Sequence, residues 1–208
     1  MARLREKLSV LLAIMMMTMM LKTTGVECGS NLLWKKASNG GLPDYPVAGG
    51  SDYPGEVLYV ARIRLGSDQT PGKMDVSNRK AHASWGGREH SDTQYEILTN
   101  PGWRSHLEWQ ASGGYQAPAN AVLGGYDNGR PVYVARVRYP DGHMIPGKAA
   151  FFYGKAYVGY GGKEYESTKF DVLVEHQSKK RKRDVSSRFD YPNLPNVKPL
   201  KRAPIIAQ

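Results

Sequence analysis

An internal repeat constrains this sequence of 208 residues more than any other feature. The segment that begins at Trp34 returns at Trp109 with the same motifs in the same order: YVAR, PGK, a glycine pair shortly before Glu, and a closing YEIL or FDVL. Equivalent residues lie 75 positions apart, and the register loses one residue near Pro54 and regains it before Pro71. The copies share Gly, Pro and a few charged residues, while their apolar residues vary. This pattern predicts two units with a common backbone path and similar cores.

Apolar and polar residues alternate within each copy. In the first copy Tyr59, Ala61 and Ile63 fall on one face of a strand, and Arg62 falls on the other. This alternation, with many β-branched and aromatic residues, favours half-buried strands. Residue pairs typical of turns separate these segments. They are Asn39-Gly40, Gly49-Gly50, Pro71-Gly72, Gly86-Gly87, Asn128-Gly129, Asp141-Gly142, Pro146-Gly147 and Gly161-Gly162. The sequence therefore predicts an all-β fold built from two tandem homologous repeats.

The N-terminal segment has the pattern of a secretory signal. Basic residues precede an apolar run from Leu8 to Leu21, and small residues follow it, which predicts a signal peptide over residues 1–29 and a secreted, extracellular protein. A spanning helix needs about 20 apolar residues, so an uncleaved membrane anchor is the less favoured alternative. Cys28 is the only cysteine and lies near the expected cut. Disulfides are therefore not expected to stabilise the mature fold.

The net charge of +10 is concentrated outside the repeats. Residues 1–29 carry 4 basic and 2 acidic side chains, residues 30–177 carry 16 and 15, and residues 178–208 carry 9 and 2. Proteins that bind nucleic acid through phosphate contacts need a basic face. The almost neutral repeats therefore argue against nucleic acid as a partner. We place the first repeat at 30–107 and the second at 108–177.

The segment 178–208 is basic and rich in proline, and its composition predicts disorder. Its basic run, 179–183, leaves two interpretations open. One is proteolytic processing after Arg183 or Arg202. The other is contact with sulfated glycans or an anionic membrane. A merely solubilising tail is the simpler alternative.

Each copy contains, in order, a starting Trp, a Gly-Gly-x-Asp segment, a YVAR strand, a PGK segment and a Gly-Gly-x-Glu segment. In this the chain resembles the DM-nine repeat family, also called natterin-like, over residues 31–174. Within that family it resembles the two-repeat mannose-binding lectins of molluscs. The resemblance implies two β repeats related by a pseudo-twofold axis, binding of mannose-type glycans in innate immune recognition, and a homodimer.

Three charged residues in each copy form the candidate sugar site. They are Asp52, Lys73 and Glu89 in the first copy, and Asp127, Lys148 and Glu164 in the second. The Asp and the Lys are 21 residues apart in both copies. A carboxylate and an ammonium can hold adjacent hydroxyls of a hexose by charge-assisted hydrogen bonds, and neighbouring glycines let a ligand approach the backbone. The resemblance implies that the Asp and the Lys contact mannose; the Glu is added by the chemical reasoning alone.

Structural roles remain open for the same residues. Asp after a glycine pair often binds turn amides, Lys after Pro-Gly is often solvated, and a repeated Glu can pair with a strand Arg. Trp85 and Tyr160 are equivalent aromatic residues beside the glutamates. Their rings can stack on a sugar, but core burial is the favoured expectation. The same core role is expected for Trp34 and Trp109.

Catalysis and metal binding have little support in the sequence. The histidines lack metal-ligand spacing, there is no Gly-x-Ser-x-Gly segment, and no acidic loop suits calcium. We therefore expect a protein without enzymatic activity or cofactor, with two calcium-independent sugar sites per chain. Two alternatives stay open. One is a secreted structural or immune scaffold without sugar binding, and the other is a natterin-like membrane-active protein, for which the basic tail is poorly suited to a spanning hairpin.

Overall fold

The computed structural model describes residues 30–52 and 55–176, so the predictions of a signal peptide and of a disordered tail lie outside the described residues. The described part consists of β-strands and two short 3-10 turns. The strands are β1 (Leu33–Ser38), β2 (Ala48–Asp52), β3 (Glu56–Leu65), β4 (Asp68–Asp75), β5 (Lys80–Trp85), β6 (Arg88–Asp92), β7 (Gln94–Thr99), β8 (His106–Ser112), β9 (Leu123–Asp127), β10 (Arg130–Arg138), β11 (Met144–Ala150), β12 (Lys155–Tyr160), β13 (Lys163–Ser167) and β14 (Phe170–His176); the 3-10 turns are Pro101–Trp103 and Phe151–Tyr153. Neither turn has the length and apolarity that a membrane-spanning helix requires, and no other helix occurs in 30–52 or 55–176.

The strand order shows how the two repeats are related. The strands join in the order β1-β7-β3-β2-β11-β12-β13-β6-β5-β4-β9-β10-β14-β8. Counted inward from its two ends, this order matches each strand of the first repeat with the equivalent strand of the second. The central pairing, β13 with β6, joins the equivalent residues Lys163 and Arg88. The repeats are therefore related by a pseudo-twofold axis, and the predicted all-β fold of two homologous repeats is confirmed.

The two repeats exchange strand contacts. β2 of the first repeat pairs with β11 of the second at Ser51 and Met144, and β9 pairs with β4 at Tyr126 and Gln69. Each strand that ends in a candidate Asp thus lies beside the strand of the other repeat that carries a candidate Lys. The described residues belong to one compact unit. Neither sequence copy packs as a separate domain.

Three of the predicted turns are wrong because their residues lie inside strands. They are Gly49-Gly50 in β2, Pro71-Gly72 in β4 and Pro146-Gly147 in β11. A Cβ on Gly50 would lie 1.8 Å from the carbonyl oxygen of Met144, and a Cβ on Gly125 would lie 2.0 Å from that of Gln69. These contacts are far inside van der Waals separation. Glycine is required here because the backbone of the other repeat passes directly over it, not because the chain turns.

A hydrophobic cluster on the pseudo-twofold axis holds the repeats together. Its members are the equivalent pairs Val47 and Val122, Val60 and Val134, and Leu98 and Leu173. Val60 lies on the same face of β3 as Arg62, yet it is fully buried because the other repeat covers it. Two further clusters fill the interiors of the two repeats, and that of the second repeat also includes Leu58 of the first.

The same stack of Trp, Arg and a carboxylate occurs in both repeats. In the first, the Arg62 guanidinium lies 4.4 Å from the centre of the Trp34 ring, and its Nε donates to Glu96 Oε2 at 2.6 Å. The equivalent stack contains Trp109, Arg136 and Asp171. Both indoles pack against the axial cluster while remaining partly exposed. The tryptophans that open the repeats therefore serve the core, and they also hold the strand arginines by cation–π contact.

Candidate functional site

The second repeat contains a small polar pocket around the predicted Asp127 and Lys148, which we call the second pocket. Its volume is about 270 Å³. The lining residues are Trp85, Gly86, Asp127, Asn128, Lys148, Tyr153, Tyr157 and Glu164. Drug-sized ligands occupy pockets of about 300 to 1,000 Å³, so this one suits a ligand of the size of a monosaccharide.

An ion pair lies in the second pocket. Lys148 Nζ donates to Asp127 Oδ2 at 2.8 Å, and the Lys148 side chain is only 3% exposed. The other carboxylate oxygen, Oδ1, accepts a hydrogen bond from Asn128 Nδ2 at 3.0 Å. The structure thus brings together the Asp and the Lys that the sequence placed 21 residues apart. β9 ends at the Asp, and the middle of β11 supplies the Lys.

Glu164 lies in the same pocket and has unused hydrogen-bonding capacity. Its Oε2 is buried and has no hydrogen-bond partner among the described residues. Burial raises the pKa of the Glu164 carboxyl above its usual value, and this outweighs the opposite effects of the Lys148 charge and of the Gly87 N–H. A buried oxygen without a partner is costly. A ligand hydroxyl that donates to it would relieve that cost.

Trp85 belongs to the first repeat but lines the pocket of the second. It ends β5, and the turn that follows at Gly86 reaches across the pseudo-twofold axis. Its side chain is 37% exposed, so the expectation that Trp85 is a core residue is wrong. The reason is the pairing of β6 with β13, which places the β5–β6 hairpin against the second repeat. The second pocket is therefore built from both copies.

The predicted residues of the first repeat also meet, in a different arrangement that we call the first cluster: Asp52, Lys73, Glu89 and Tyr160. Lys73 Nζ donates to the carbonyl oxygen of Gly159 at 2.7 Å and forms its ion pair with Glu89 Oε1 at 3.0 Å. The Tyr160 hydroxyl donates to Asp52 Oδ1 at 3.1 Å, and the centre of its ring lies 4.8 Å from Lys73 Nζ. Asp52 and Lys73 thus both contact Tyr160, Asp52 through the hydroxyl and Lys73 through the ring face. The carboxylate that forms an ion pair with Lys73 belongs to Glu89 and not to Asp52.

Tyr160 is held between the first cluster and a second tyrosine. Its ring centre lies 4.6 Å from that of Tyr139, and the residue is partly buried against the core of the second repeat, so the expected core burial is met only in part. His82 lies nearby, with Nδ1 3.8 Å from Glu89 Oε1. Burial lowers the pKa of His82 in spite of the opposing charge of Glu89. Polar groups of the first cluster are thus paired with one another or with backbone, and in this sense we call the cluster closed, whereas the equivalent residues of the second repeat line a pocket.

Glu89 has a structural role that the sequence reasoning did not predict. Its Oε2 accepts from the Gly162 N–H at 2.8 Å, and its own N–H donates to the Gly162 carbonyl at 3.2 Å. The Glu164 N–H donates to the Gly87 carbonyl at 3.4 Å. These reciprocal bonds join the β5–β6 and β12–β13 hairpins across the pseudo-twofold axis. They explain why a glycine pair and a Glu recur together in both copies.

Sequence reasoning missed Tyr153 and Tyr157, which line the second pocket. Tyr153 occupies the position of Asn78 in the first repeat, and Tyr157 occupies that of His82. The signal for finding them was the difference between the copies at these positions. The replacement of His82 by Tyr157 is visible in the sequence and predicts that the two sites differ, but it does not show that Tyr157 lines one of them.

Replacing Glu164 by Gln should stabilise the protein more at pH 7 than at pH 4. A carboxyl whose pKa is raised on folding contributes stability below its unfolded pKa of about 4.5, and this contribution is lost as the pH rises through the folded pKa. Gln carries no charge at either pH. The difference in free energy of unfolding between variant and wild type, measured in urea at both pH values, should therefore shift in favour of the variant at pH 7. Glu166→Gln, which removes the exposed carboxylate that pairs with Lys155, is the control and should not favour the variant at pH 7. An equal difference for Glu164→Gln at both pH values would contradict the prediction.

The fold and the pocket define a class of protein: a tandem β-repeat protein with a small polar pocket lined by residues of both repeats. The model of the DM9 repeat matches the chain in three overlapping segments, residues 22–77, 52–140 and 126–187. The chain therefore belongs to the DM9 repeat family, as the sequence motifs predicted. Membership in this family suggests a carbohydrate-binding or immune-type role. A comparison with curated protein sequences found no significant match.

A solved structure shares this fold. The nematode sperm cell motility protein MFP2B superimposes with a TM-score of 0.55 at 20% sequence identity. The match covers 71% of this chain and 47% of MFP2B, so the chain corresponds to about half of that protein. At this identity the likeness concerns the fold alone.

Proposed function

We propose that this protein is a secreted, calcium-independent lectin for mannose-type glycans, and that the second pocket is its principal sugar site. The observation that carries the proposal is the Asp127–Lys148 ion pair in a pocket bordered by the exposed indole of Trp85. The family's suggested carbohydrate-binding role supports it. The protein acts by binding and not by catalysis.

The chemistry of the second pocket suits a hexose. Lys148 has three N–H donors, and one of them is used by Asp127. Asp127 and Glu164 offer carboxylate oxygens to hydroxyl donors, and hydrogen bonds to charged groups are stronger than neutral ones. The Trp85 ring offers an apolar surface to the C–H face of the sugar. Adjacent hydroxyls thus meet a donor and an acceptor that are already fixed in position.

The Lys148 ammonium also supports calcium-independent binding. Calcium prefers six to eight oxygen ligands, and an ammonium 2.8 Å from the Asp127 carboxylate repels a divalent cation from that oxygen. In the described part of the chain no group of three or more His, Cys, Asp or Glu side chains is placed to hold a metal ion. The cation that neutralises the carboxylate is supplied by the protein itself.

The first cluster is proposed as a weaker sugar site. Lys73 uses two of its three N–H donors on Gly159 and Glu89, and the Tyr160 hydroxyl already donates to Asp52. A hexose entering there must displace protein groups from one another before it gains its own hydrogen bonds. The two sites per chain predicted from the repeat are thus proposed to differ in affinity.

Glycan-array binding of the secreted protein, with and without EDTA, tests this function. Signal on mannose-terminated glycans that persists in EDTA is the expected result. Signal that EDTA abolishes would refute calcium independence. A folded protein that binds no glycan would refute the lectin proposal and favour the scaffold alternative, and leakage from liposomes would favour the membrane-active one.

A further inference from the structure

The second pocket continues into a ledge of aromatic side chains formed by Tyr115, Phe152 and Tyr153. We propose that this aromatic ledge binds the next sugar unit of an oligosaccharide whose terminal unit occupies the second pocket. The inference rests on the proposed function and extends it from a monosaccharide to a chain of linked sugars. The ledge would make the protein prefer oligosaccharides to free monosaccharides.

Tyr153 joins the pocket to the ledge. It lines the second pocket, and its side chain is 52% exposed. Its ring centre lies 4.6 Å from that of Phe152. The Arg130 guanidinium lies 4.8 Å from the centre of the Phe152 ring and 5.7 Å from that of Tyr153. The two rings and the cation therefore form one connected surface at the pocket edge.

Tyr115 extends this surface. It is 76% exposed, and its ring packs closely over Gly154, where an added Cβ would lie 3.2 Å from the ring atoms. Gly154 directly follows Tyr153 and ends the 3-10 turn with a positive φ of 65°. The close approach of the Tyr115 ring and the positive φ both favour glycine at this position. Two exposed aromatic rings, those of Tyr115 and Tyr153, thus lie next to Gly154.

The chemistry of the ledge fits a pyranose. Such a ring presents C–H faces that pack on aromatic surfaces, and hydroxyls at its edge that accept from a guanidinium. The cation–π contacts of Arg130 restrain the rings before a ligand arrives, so less conformational entropy is lost on binding. In a bound oligosaccharide, the unit linked to the sugar in the pocket would extend past Tyr153 and contact this surface.

The first repeat lacks such a ledge. Its equivalent segment is Val76-Ser77-Asn78, with no aromatic ring. There the N–H groups of Ser77 and Asn78 donate to the Asp75 carboxylate at 2.9 and 3.3 Å. The aromatic segment therefore accompanies the open pocket and not the closed first cluster, as expected if it serves the same ligand.

Isothermal titration calorimetry with methyl α-mannoside and with an α-linked mannotriose tests the ledge. Wild type should bind the trisaccharide about tenfold more tightly than the monosaccharide, a gain in the range of one aromatic contact. In Tyr153→Ala this ratio should fall close to one, and Tyr115→Ala should lower it partly. Tyr153→Phe keeps the ring and should retain the ratio. Asn78→Ala, at the equivalent position of the first repeat, is the matched control and should also retain it.

Two results would overturn the inference, and they differ from failure of the lectin proposal. Equal affinity of wild type for the two sugars would show that no second unit is bound. An unchanged ratio in the double variant Tyr115→Ala/Tyr153→Ala would place the second unit elsewhere. Absence of binding to either sugar by folded wild type would instead remove the proposed function, and the ledge with it.

Discussion

Gly125→Ala should lower the free energy of unfolding by about 3 kcal/mol or more, because overpacking against an immobile group costs about 1 to 3 kcal/mol and sometimes more. The added Cβ would lie 2.0 Å from the carbonyl oxygen of Gln69, which belongs to the strand of the other repeat. That oxygen is backbone and cannot rotate away. The strand must move instead, which disrupts the pairing of β9 with β4 next to Asp127. Small domains are stable by only about 5 to 15 kcal/mol, so the loss is a large share of the total.

Urea unfolding followed by tryptophan fluorescence measures this effect, and Gly161→Ala is its control. Gly161 has a φ of 57° and no atom within 4 Å of an added Cβ. The same substitution there should cost only the left-handed backbone penalty of about 1 to 2 kcal/mol. Gly50→Ala, at the equivalent contact of the first repeat, should resemble Gly125→Ala. A Gly125→Ala variant as stable as wild type would contradict the prediction, because it would show that β9 and β4 can move apart without lowering the free energy of unfolding.

Asp127→Asn should weaken mannose binding by about tenfold to a hundredfold, which corresponds to loss of a hydrogen bond to a charged group worth about 1.5 to 3 kcal/mol. Asn keeps the size of the side chain and one carbonyl oxygen for Lys148, but it removes the charge that strengthens bonds to sugar hydroxyls. Asp52→Asn should have a smaller effect, because the first cluster is closed by Tyr160 and Glu89. The double variant should lose detectable binding.

The stability of Asp127→Asn must be measured beside its affinity. Removing one member of a buried ion pair can cost about 3 to 5 kcal/mol when no acceptor remains, and Lys148 is almost fully buried. Circular dichroism and the unfolding midpoint report whether the variant is folded at the temperature of titration. Asp171→Asn, which breaks the Arg136 pair of the same repeat outside the second pocket, is the matched control for charge and should leave mannose affinity unchanged.

Two outcomes would contradict the assignment of the sugar site. Unchanged mannose affinity in folded Asp127→Asn would remove this carboxylate from the site. Equal losses of mannose affinity in Asp52→Asn and Asp127→Asn would show that the first cluster binds sugar as readily as the second pocket. The two sites would then be equivalent.

Much of the candidate site was predictable from residues that the repeats share. Asp127 and Lys148 lie in contact, as their constant spacing in both copies suggested, because the strands that carry them, β9 and β11, both pair with β10. Features found in one copy alone were not predictable in this way. The exposure of Trp85 depends on which repeat its hairpin lies against, and the choice of Glu89 over Asp52 as partner of Lys73 depends on a tyrosine that the second repeat supplies.

The duplicated all-β fold, the family and the charged residues of each copy could be predicted without coordinates, because alternation and repeated motifs are local properties that do not depend on how the strands are arranged. The exchange of strand contacts between the repeats depends on tertiary packing, since β2 pairs with β3 of its own repeat and its hydrophobic pattern does not specify β11 as its second neighbour. That exchange explains the glycines of β2 and β9, which lie under the backbone of the other repeat. It also explains why two nearly equivalent sets of residues form one open pocket and one closed cluster. Each set is completed by the hairpin of the other copy, and those hairpins carry different side chains.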